Sequence, residues 1–458
     1  MPLSRGHARV MGRRIGVSRN NPAFLFLISV WILALVPVGF QGRFSGSALF
    51  AAPIAPVPAK SKKEKITRLS LREVVERSLR NARSIKIQEA LIRETRWAEK
   101  EARLLRNPYL ELETGSRTTK SGSGSAFSLS VEQPLFFPGK RRLRRGAARA
   151  LIGLEKEKLT ALRLQLRYRV IILSYRTAIL AEKIEHTEER IKRHRLLFSY
   201  FRGRPLLSPN LRLKFYLIEE KLKELLNRRD ELQARDEKVR ARLRFYLLST
   251  GRLRIHAPWF RLGPELKRKE LLELALKNNR EVRLARSRLR LARARLRLAE
   301  RAVYPDLRIG ARVSRINGPD SESYYALSIK AYLPLFNRNQ TGRGRARARL
   351  ERKSRELQLR ILRIKQKMNE LFSDYEYARR SIRRFPSHEL KKTHARMSYA
   401  DREFRRGRVD PSVYLETDAQ SDEFHDAIFN SQLRFVIAYA RLLQFAGSAN
   451  FQLEVAPK

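Results

Sequence analysis

The chain has 458 residues, of which 99 are Lys or Arg and 46 are Asp or Glu, for a formal net charge of +53. A hydrophobic fraction of 43% excludes a disordered chain despite that charge, and the length allows roughly two or three domains. Without cysteine there is no disulfide framework, no thiolate-bound metal and no thiol nucleophile.

The N-terminus carries Arg5, Arg9, Arg13, Arg14 and Arg19, then the uncharged run Ala23 to Phe40, then Gly46, Ser47 and Ala48. Basic, apolar and small-residue segments in that order predict a secretory signal peptide over residues 1–48, and the small residues that continue to Ala59 allow a later cut. A retained anchor is the alternative reading, because the apolar run approaches the ~20 residues that span a bilayer. No later apolar run reaches that length, so further membrane insertion requires β-strands.

The rest of the chain is written twice. Glu73, Leu79, Asn81, Ile85, Ala102, Pro108 and Leu110 recur at one fixed offset as Glu270, Leu276, Asn278, Val282, Ala299, Pro305 and Leu307. The division is a first repeat over 66–250, a linker over 251–265, a second repeat over 266–447 and a tail over 448–458. Each repeat reads as a helix, two strands and two long helices. The first helix runs from about Ser70 to Arg106 and stops at Asn107-Pro108, since proline disfavours helical geometry in the residue before it.

Leu110 and Leu112 then alternate with Glu111 and Glu113, and Phe127, Leu129 and Val131 with Ser128, Ser130 and Glu132. The second repeat alternates Leu307, Ile309, Ala311 and Val313 with Arg308, Gly310, Arg312 and Ser314, and continues at Tyr325, Leu327 and Ile329. Period two with one apolar face predicts four strands of bilayer-crossing length. Tyr109, Phe127, Phe136, Phe137, Tyr324, Tyr325 and Phe336 fall near their ends.

Helical spacing returns at Lys140, with Leu159, Leu166, Leu173 and Leu180 at the seven-residue interval of a coiled-coil seam. A helix to about Tyr200 would extend on the order of 90 Å, reverse at Gly203-Arg204-Pro205 and return from Leu211 to Thr250. The second repeat does the same from about Arg343, with an interruption at Pro386 and a reversal between Gly407 and Pro411.

A hairpin with one apolar face leaves open edges that a bilayer penalises by several kcal/mol per unpaired backbone group. Known spanning barrels need at least about eight strands, so several copies must pool theirs. The polar strand positions Glu111, Glu113, Glu132, Arg308, Arg312 and Lys330 would then face the lumen. Their signs balance, which leaves the +53 mainly on the helices and predicts an acidic medium or an acidic partner surface.

Several motifs carry a family resemblance. They are Asn107-Pro108 and Tyr304-Pro305 at the strand starts, Gln-Pro-Leu-Phe-Phe-Pro-Gly-Lys-Arg at 133–141, Leu-Pro-Leu-Phe-Asn-Arg-Asn-Gln at 333–340, and the Phe-x-x-Gly-type turns near 203 and 407 followed by Leu-Glu-Thr-Asp-Ala-Gln at 415–420. From about Leu69 to Gly447 the chain resembles the TolC-like outer membrane efflux proteins, and within them the heavy-metal efflux subgroup. The resemblance implies a mainly α fold with a transmembrane β-barrel: a homotrimer whose 12 strands, four per protomer, close the barrel above an α-helical coiled-coil tunnel. It implies an outer membrane channel of a tripartite efflux or type I secretion system, with a periplasmic extension, partnered by a periplasmic adaptor (membrane fusion protein) and an inner membrane pump, with neither cofactor nor enzymatic activity.

On that resemblance Phe201, Gly203, Arg204, Phe404, Gly407 and Arg408 form tips that contact the adaptor. Asp410, Glu416 and Asp418 are candidates for the tunnel constriction, although Asn210 stands at the first tip where the family often has an acid. The rival readings are a periplasmic adaptor, disfavoured by the duplication of the whole helix-strand unit, and a basic coiled coil that binds nucleic acid, disfavoured by the leader and the strands. His186 with His194, and His388 with His394, lack the spacing that puts two ligands on one helical face, so they read as solvated or capping residues and no metal is expected.

Overall fold

Ser70 opens the first helix as a reciprocal cap. Its hydroxyl accepts from the Glu73 amide at 3.3 Å, and the Glu73 carboxylate accepts from the Ser70 amide at 2.9 Å. The computed structural model describes residues 67–119, 122–202, 208–249, 251, 253–257, 265–318 and 321–448. The first repeat runs β1 (Thr67–Ser70), α1 (Leu71–Asn81), α2 (Arg83–Glu101), β2 (Tyr109–Thr119), β3 (Gly122–Leu135), α3 (Lys140–Arg202) and α4 (Pro209–Leu247). The second runs β4 (Leu253–His256), α5 (Arg268–Asn278), α6 (Arg280–Arg301), β5 (Leu307–Asn317), β6 (Glu322–Ala331), α7 (Gln340–Arg384), α8 (Glu389–Arg405) and α9 (Pro411–Ala446). The predicted leader lies outside the described residues, all of which belong to one unit, Lys62–Lys458.

Two expectations need correction. The helix expected from Ser70 to Arg106 is two helices, broken at Ala82, whose ψ of 113° is not helical. The break is tied down, because the Asn81 amide donates to the Leu247 carbonyl at 2.9 Å. In the second repeat Asn279 breaks the helix and donates to the Phe445 carbonyl at 2.7 Å. Each asparagine thus satisfies an orphan carbonyl at the end of its repeat's return helix.

Second, the described residues hold six strands rather than four. β1 pairs in parallel with β4, from Thr67 opposite Leu253 to Ser70 opposite His256. The segment expected to be linker therefore joins the start of the first repeat to the start of the second, and buries Leu69, Leu253 and Ile255 in the core. The expected interruption of the second repeat's descending helix is present: it is two pieces, α7 and α8, because Pro386 has no amide to donate and Phe385 before it leaves helical geometry at ψ 70°.

The core lies where α3 packs against α1, α2, α4, α6 and α9. It is built around Val74, Tyr168, Val170, Leu243, Met368 and Leu442, and each fully buried aliphatic side chain contributes roughly 1.5–3 kcal/mol. Leu166 and Leu173 of the predicted seam are buried, while Leu159 and Leu180 are half-buried. A second cluster joins both hairpin tips through Leu197, Phe201, Ile218, Met397, Ala400 and Tyr414. Among the described residues no helix is long and apolar enough to cross a membrane.

Candidate functional site

The four predicted strands form one antiparallel sheet in the order β2-β3-β5-β6. Its register puts residues of one parity on each face. Leu110 pairs with Val131, Leu112 with Leu129, Val131 with Ala311, and Ile309 with Ile329. This apolar face is bare in the single chain: Leu110 is 72% and Leu327 89% exposed. β2 and β6 each have a strand neighbour on one side only, so the sheet has two unpaired edges among the described residues.

The opposite face carries all six predicted lumen residues, and the structure pairs most of them. Glu132 meets Lys330, with Arg308 at 3.8 Å. Glu111 lies 3.9 Å from Arg312 and accepts from the Ser130 hydroxyl at 3.2 Å. Glu113 sits opposite Ser128 and is exposed. At the helix end of the sheet Phe137 stacks on Tyr304 at 4.7 Å, and the Arg301 guanidinium caps both rings. Lys140 holds Asp306 at 2.9 Å there.

At the far end of the helices the structure separates the predicted tip residues. Gly203 and Arg204 lie outside the described residues. Phe201, expected to contact a partner, is 1% exposed and belongs to the tip core. Phe404 is half-buried against Tyr414 at 4.9 Å. Gly407 turns the second hairpin at φ +72°, a conformation that favours glycine, and Arg408 beside it is exposed with Glu403 at 3.5 Å. Around them Leu213, Tyr216, Leu217 and Val413 stand exposed.

The three candidate constriction acids divide as well. Asp410 caps α9 by accepting from the Ser412 amide at 2.8 Å, and it takes the Lys214 ammonium at 2.9 Å. Those two bonds, the Lys214 one first, hold its carboxyl below the usual range. Glu416 is exposed and accepts from Gln420 at 3.3 Å. Asp418 cannot face solvent within the protomer, since it is 1% exposed and clasped by Arg190 at 2.6 Å and Arg193 at 3.1 Å.

That clasp is the centre of a buried ionic network invisible to the sequence. Arg190, itself 1% exposed, also reaches Asp422 at 2.6 Å. Asp422 takes Arg228 of α4 at 2.7 Å, and Asp426 takes Lys183 at 3.1 Å. Burial alone would push Asp418 and Asp422 up. The opposing pull, led by Arg190 at Asp418 and by His186 and then Arg190 and Arg228 at Asp422, outweighs it and holds both carboxyls below the usual range.

Beside the network the imidazoles of three helices meet. His186 and His194 are buried, correcting the expectation that they are solvated or capping, whereas His388 and His394 are exposed as expected. His186 of α3 stacks on His425 of α9 at 4.1 Å, and His394 of α8 stands edge-on to His425 at 5.1 Å. His186 faces Asp422 at 3.4 Å, and His425 donates through Nδ1 to the Ser421 carbonyl at 2.8 Å. Burial, and then the neighbouring His186, push His425 down to about 4. No group of metal-binding geometry occurs among the described residues. His194 is also buried, donating through Nδ1 to the Arg190 carbonyl at 3.0 Å. Only a pairing of residues some 240 positions apart could have located this cluster, and a single sequence carries no such signal.

Known proteins place this architecture. Residues 271–448 match the outer membrane efflux protein family, and no curated protein matches the chain in sequence. The fold is similar to that of CusC (TM-score 0.65, 15% identity, covering 83% of this chain and 92% of that one). It is similar too to the open state of the MtrE outer membrane channel of Neisseria gonorrhoeae (0.67, 15%, 82% and 89%) and to the outer membrane protein VceC of Vibrio cholerae (0.63, 15%, 82% and 96%). The second repeat thus carries the outer membrane efflux protein match, and over most of its length the chain shares the fold of these outer membrane proteins.

Proposed function

We propose that the chain is the outer membrane channel of a tripartite efflux system, a homotrimer that pools three four-stranded sheets into one barrel and passes substrate from an inner membrane pump and a periplasmic adaptor to the exterior. The observation that carries this is the sheet: apolar and bare on one face, charged on the other, with two unpaired edges. In water such a sheet exposes its apolar face and both edges. In a bilayer, closure with copies of itself satisfies every edge while the apolar face meets lipid.

The charged face then lines the lumen, where Glu111, Glu113, Glu132, Arg308, Arg312 and Lys330 give no net sign. At the other end Phe404, Gly407 and Arg408, with the exposed Leu213, Tyr216 and Val413, supply a mixed apolar and basic surface for the adaptor. Of the constriction candidates Asp410 and Glu416 remain, and Asp418 serves instead to hold α9 against α3. The excess positive charge on the helices suits an acidic adaptor surface.

The test is the mass of the detergent-extracted membrane fraction by light scattering corrected for bound detergent. A trimer from the outer membrane is expected. A monomer, or protein recovered without detergent, overturns the proposal.

A further inference from the structure

We infer that the recess between α3, α4 and α9, near the C-terminal ends of the two return helices, binds an elongated soluble anion bearing two or more phosphate or carboxylate groups. The recess is open to solvent and has a volume of about 860 Å³, within the few hundred to about 1,000 Å³ usual for ligand sites. Arg169 and Arg176 of α3, Arg242 of α4 and Arg441 of α9 line it, and no acid does so among the described residues.

None of these four guanidiniums has a carboxylate partner among the described residues, in contrast to Arg190 and Arg193 farther along the same helix. Like charges gathered in one hollow repel, and a bound anion relieves that repulsion while accepting from guanidinium forks that match phosphate and carboxylate geometry. Arg169 is oriented from within the site, donating to the Tyr246 hydroxyl at 3.1 Å.

The spacing sets the ligand's shape. Arg169 and Arg176 are seven residues apart on one helix, about 10.5 Å along its axis and on the same face. A ligand with anionic groups at both ends serves each guanidinium without drawing the two like charges together. Phe245 is exposed beside Tyr246, with Leu173 behind, so an apolar or flat connecting body also has a wall to lie on. Gln165, the first residue of the lining, is 25 residues into α3, roughly 38 Å from the sheet end of that helix. That distance excludes lipid headgroups around the sheet and leaves a soluble anion. The field of a chain at +53 raises the anion concentration at its surface. Only the exclusion of lipid rests on the proposed channel, in which the sheet spans the bilayer.

The full chain in detergent would be titrated calorimetrically with sodium tripolyphosphate and, separately, with a hexaglutamate peptide. The arm that saturates identifies the phosphate or the carboxylate source. The double variant Arg169→Gln/Arg176→Gln is expected to weaken saturable binding at least ten-fold, and Arg242→Gln/Arg441→Gln to do the same from the opposite wall. The control Lys86→Gln/Arg93→Gln removes the same charge from the exposed side of α2 and is expected to change affinity less than two-fold. If neither probe saturates, or if the control weakens binding as much as the recess variants, the site does not exist.

Discussion

Replacing Arg190 by methionine removes the one cation shared by two buried carboxylates. In the native chain it lies 2.6 Å from both Asp418 and Asp422. At an effective dielectric near 20, charges about 4 Å apart attract by about 4 kcal/mol, so two pairs amount to roughly 8 kcal/mol gross. Several kcal/mol of that offsets the desolvation of the guanidinium, and Arg193 and Arg228 remain as partial replacements. The net cost expected for Arg190→Met is about 3–5 kcal/mol, the range for breaking a buried pair from one side.

The same reasoning makes the double variant Arg190→Met/Asp418→Leu milder than the single, because no unpaired buried charge is left at position 418. It also fixes the pH dependence. With Arg190 present both carboxyls are held down, so their contribution is complete above the ordinary carboxylate range and fades as pH falls through their lowered values. Without Arg190, burial dominates and raises Asp418, so the loss caused by the substitution is largest at neutral pH and shrinks in acid. Urea denaturation of the detergent-solubilised protein, followed by circular dichroism at pH 7 and pH 4, reads both effects. A cost below about 1 kcal/mol, or a double variant worse than the single, refutes the account.

Three further outcomes are expected. His425 is near 6.5 when unfolded and about 4 when folded, so stability is full above about 6.5 and falls by up to about 3 kcal/mol as pH drops to about 4. His425→Gln should flatten that slope, and an unchanged slope excludes the histidine cluster as its origin. At Gly447, φ is +76° and an added Cβ would lie 2.4 Å from the Asn278 carbonyl oxygen; Gly447→Ala should destabilise by about 1–3 kcal/mol, and a neutral result in the same denaturation assay contradicts the packing of α9 on the α5–α6 break. Leu327→Arg, on the bare apolar face, should cost about 2–4 kcal/mol of membrane insertion if that face meets lipid near the midplane; refolding into vesicles with native yield would place the face elsewhere.

The periodicities were legible in the sequence for a plain physical reason: each records a local geometry. Alternation at Leu110–Glu113 and Leu307–Ser314 needs only the strand pleat, and it located all four long strands. Pro386 broke its helix as expected, because a missing amide acts wherever it stands. The duplication was legible too, since both repeats bury equivalent faces. Position 82 was not, because Ala82 carries no helix-breaking signal; its break is set by where the Leu247 carbonyl arrives to meet Asn81. The four-residue strands β1 and β4 are too short to show a period, and only their meeting makes them a sheet.

The charged residues divide along the same line. The sequence determined that Arg, Asp and His lie on long amphipathic helices, but every acid near the second glycine looked equally fit for a solvent-facing ring. Tertiary structure alone decided that α9 turns Asp418 and Asp422 inward onto Arg190 while Asp410 and Glu416 stay outside, and that His186, His394 and His425 converge from three helices. Burial and pairing between residues hundreds of positions apart depend on how whole helices pack, and that packing leaves no trace in the local spacing of either partner.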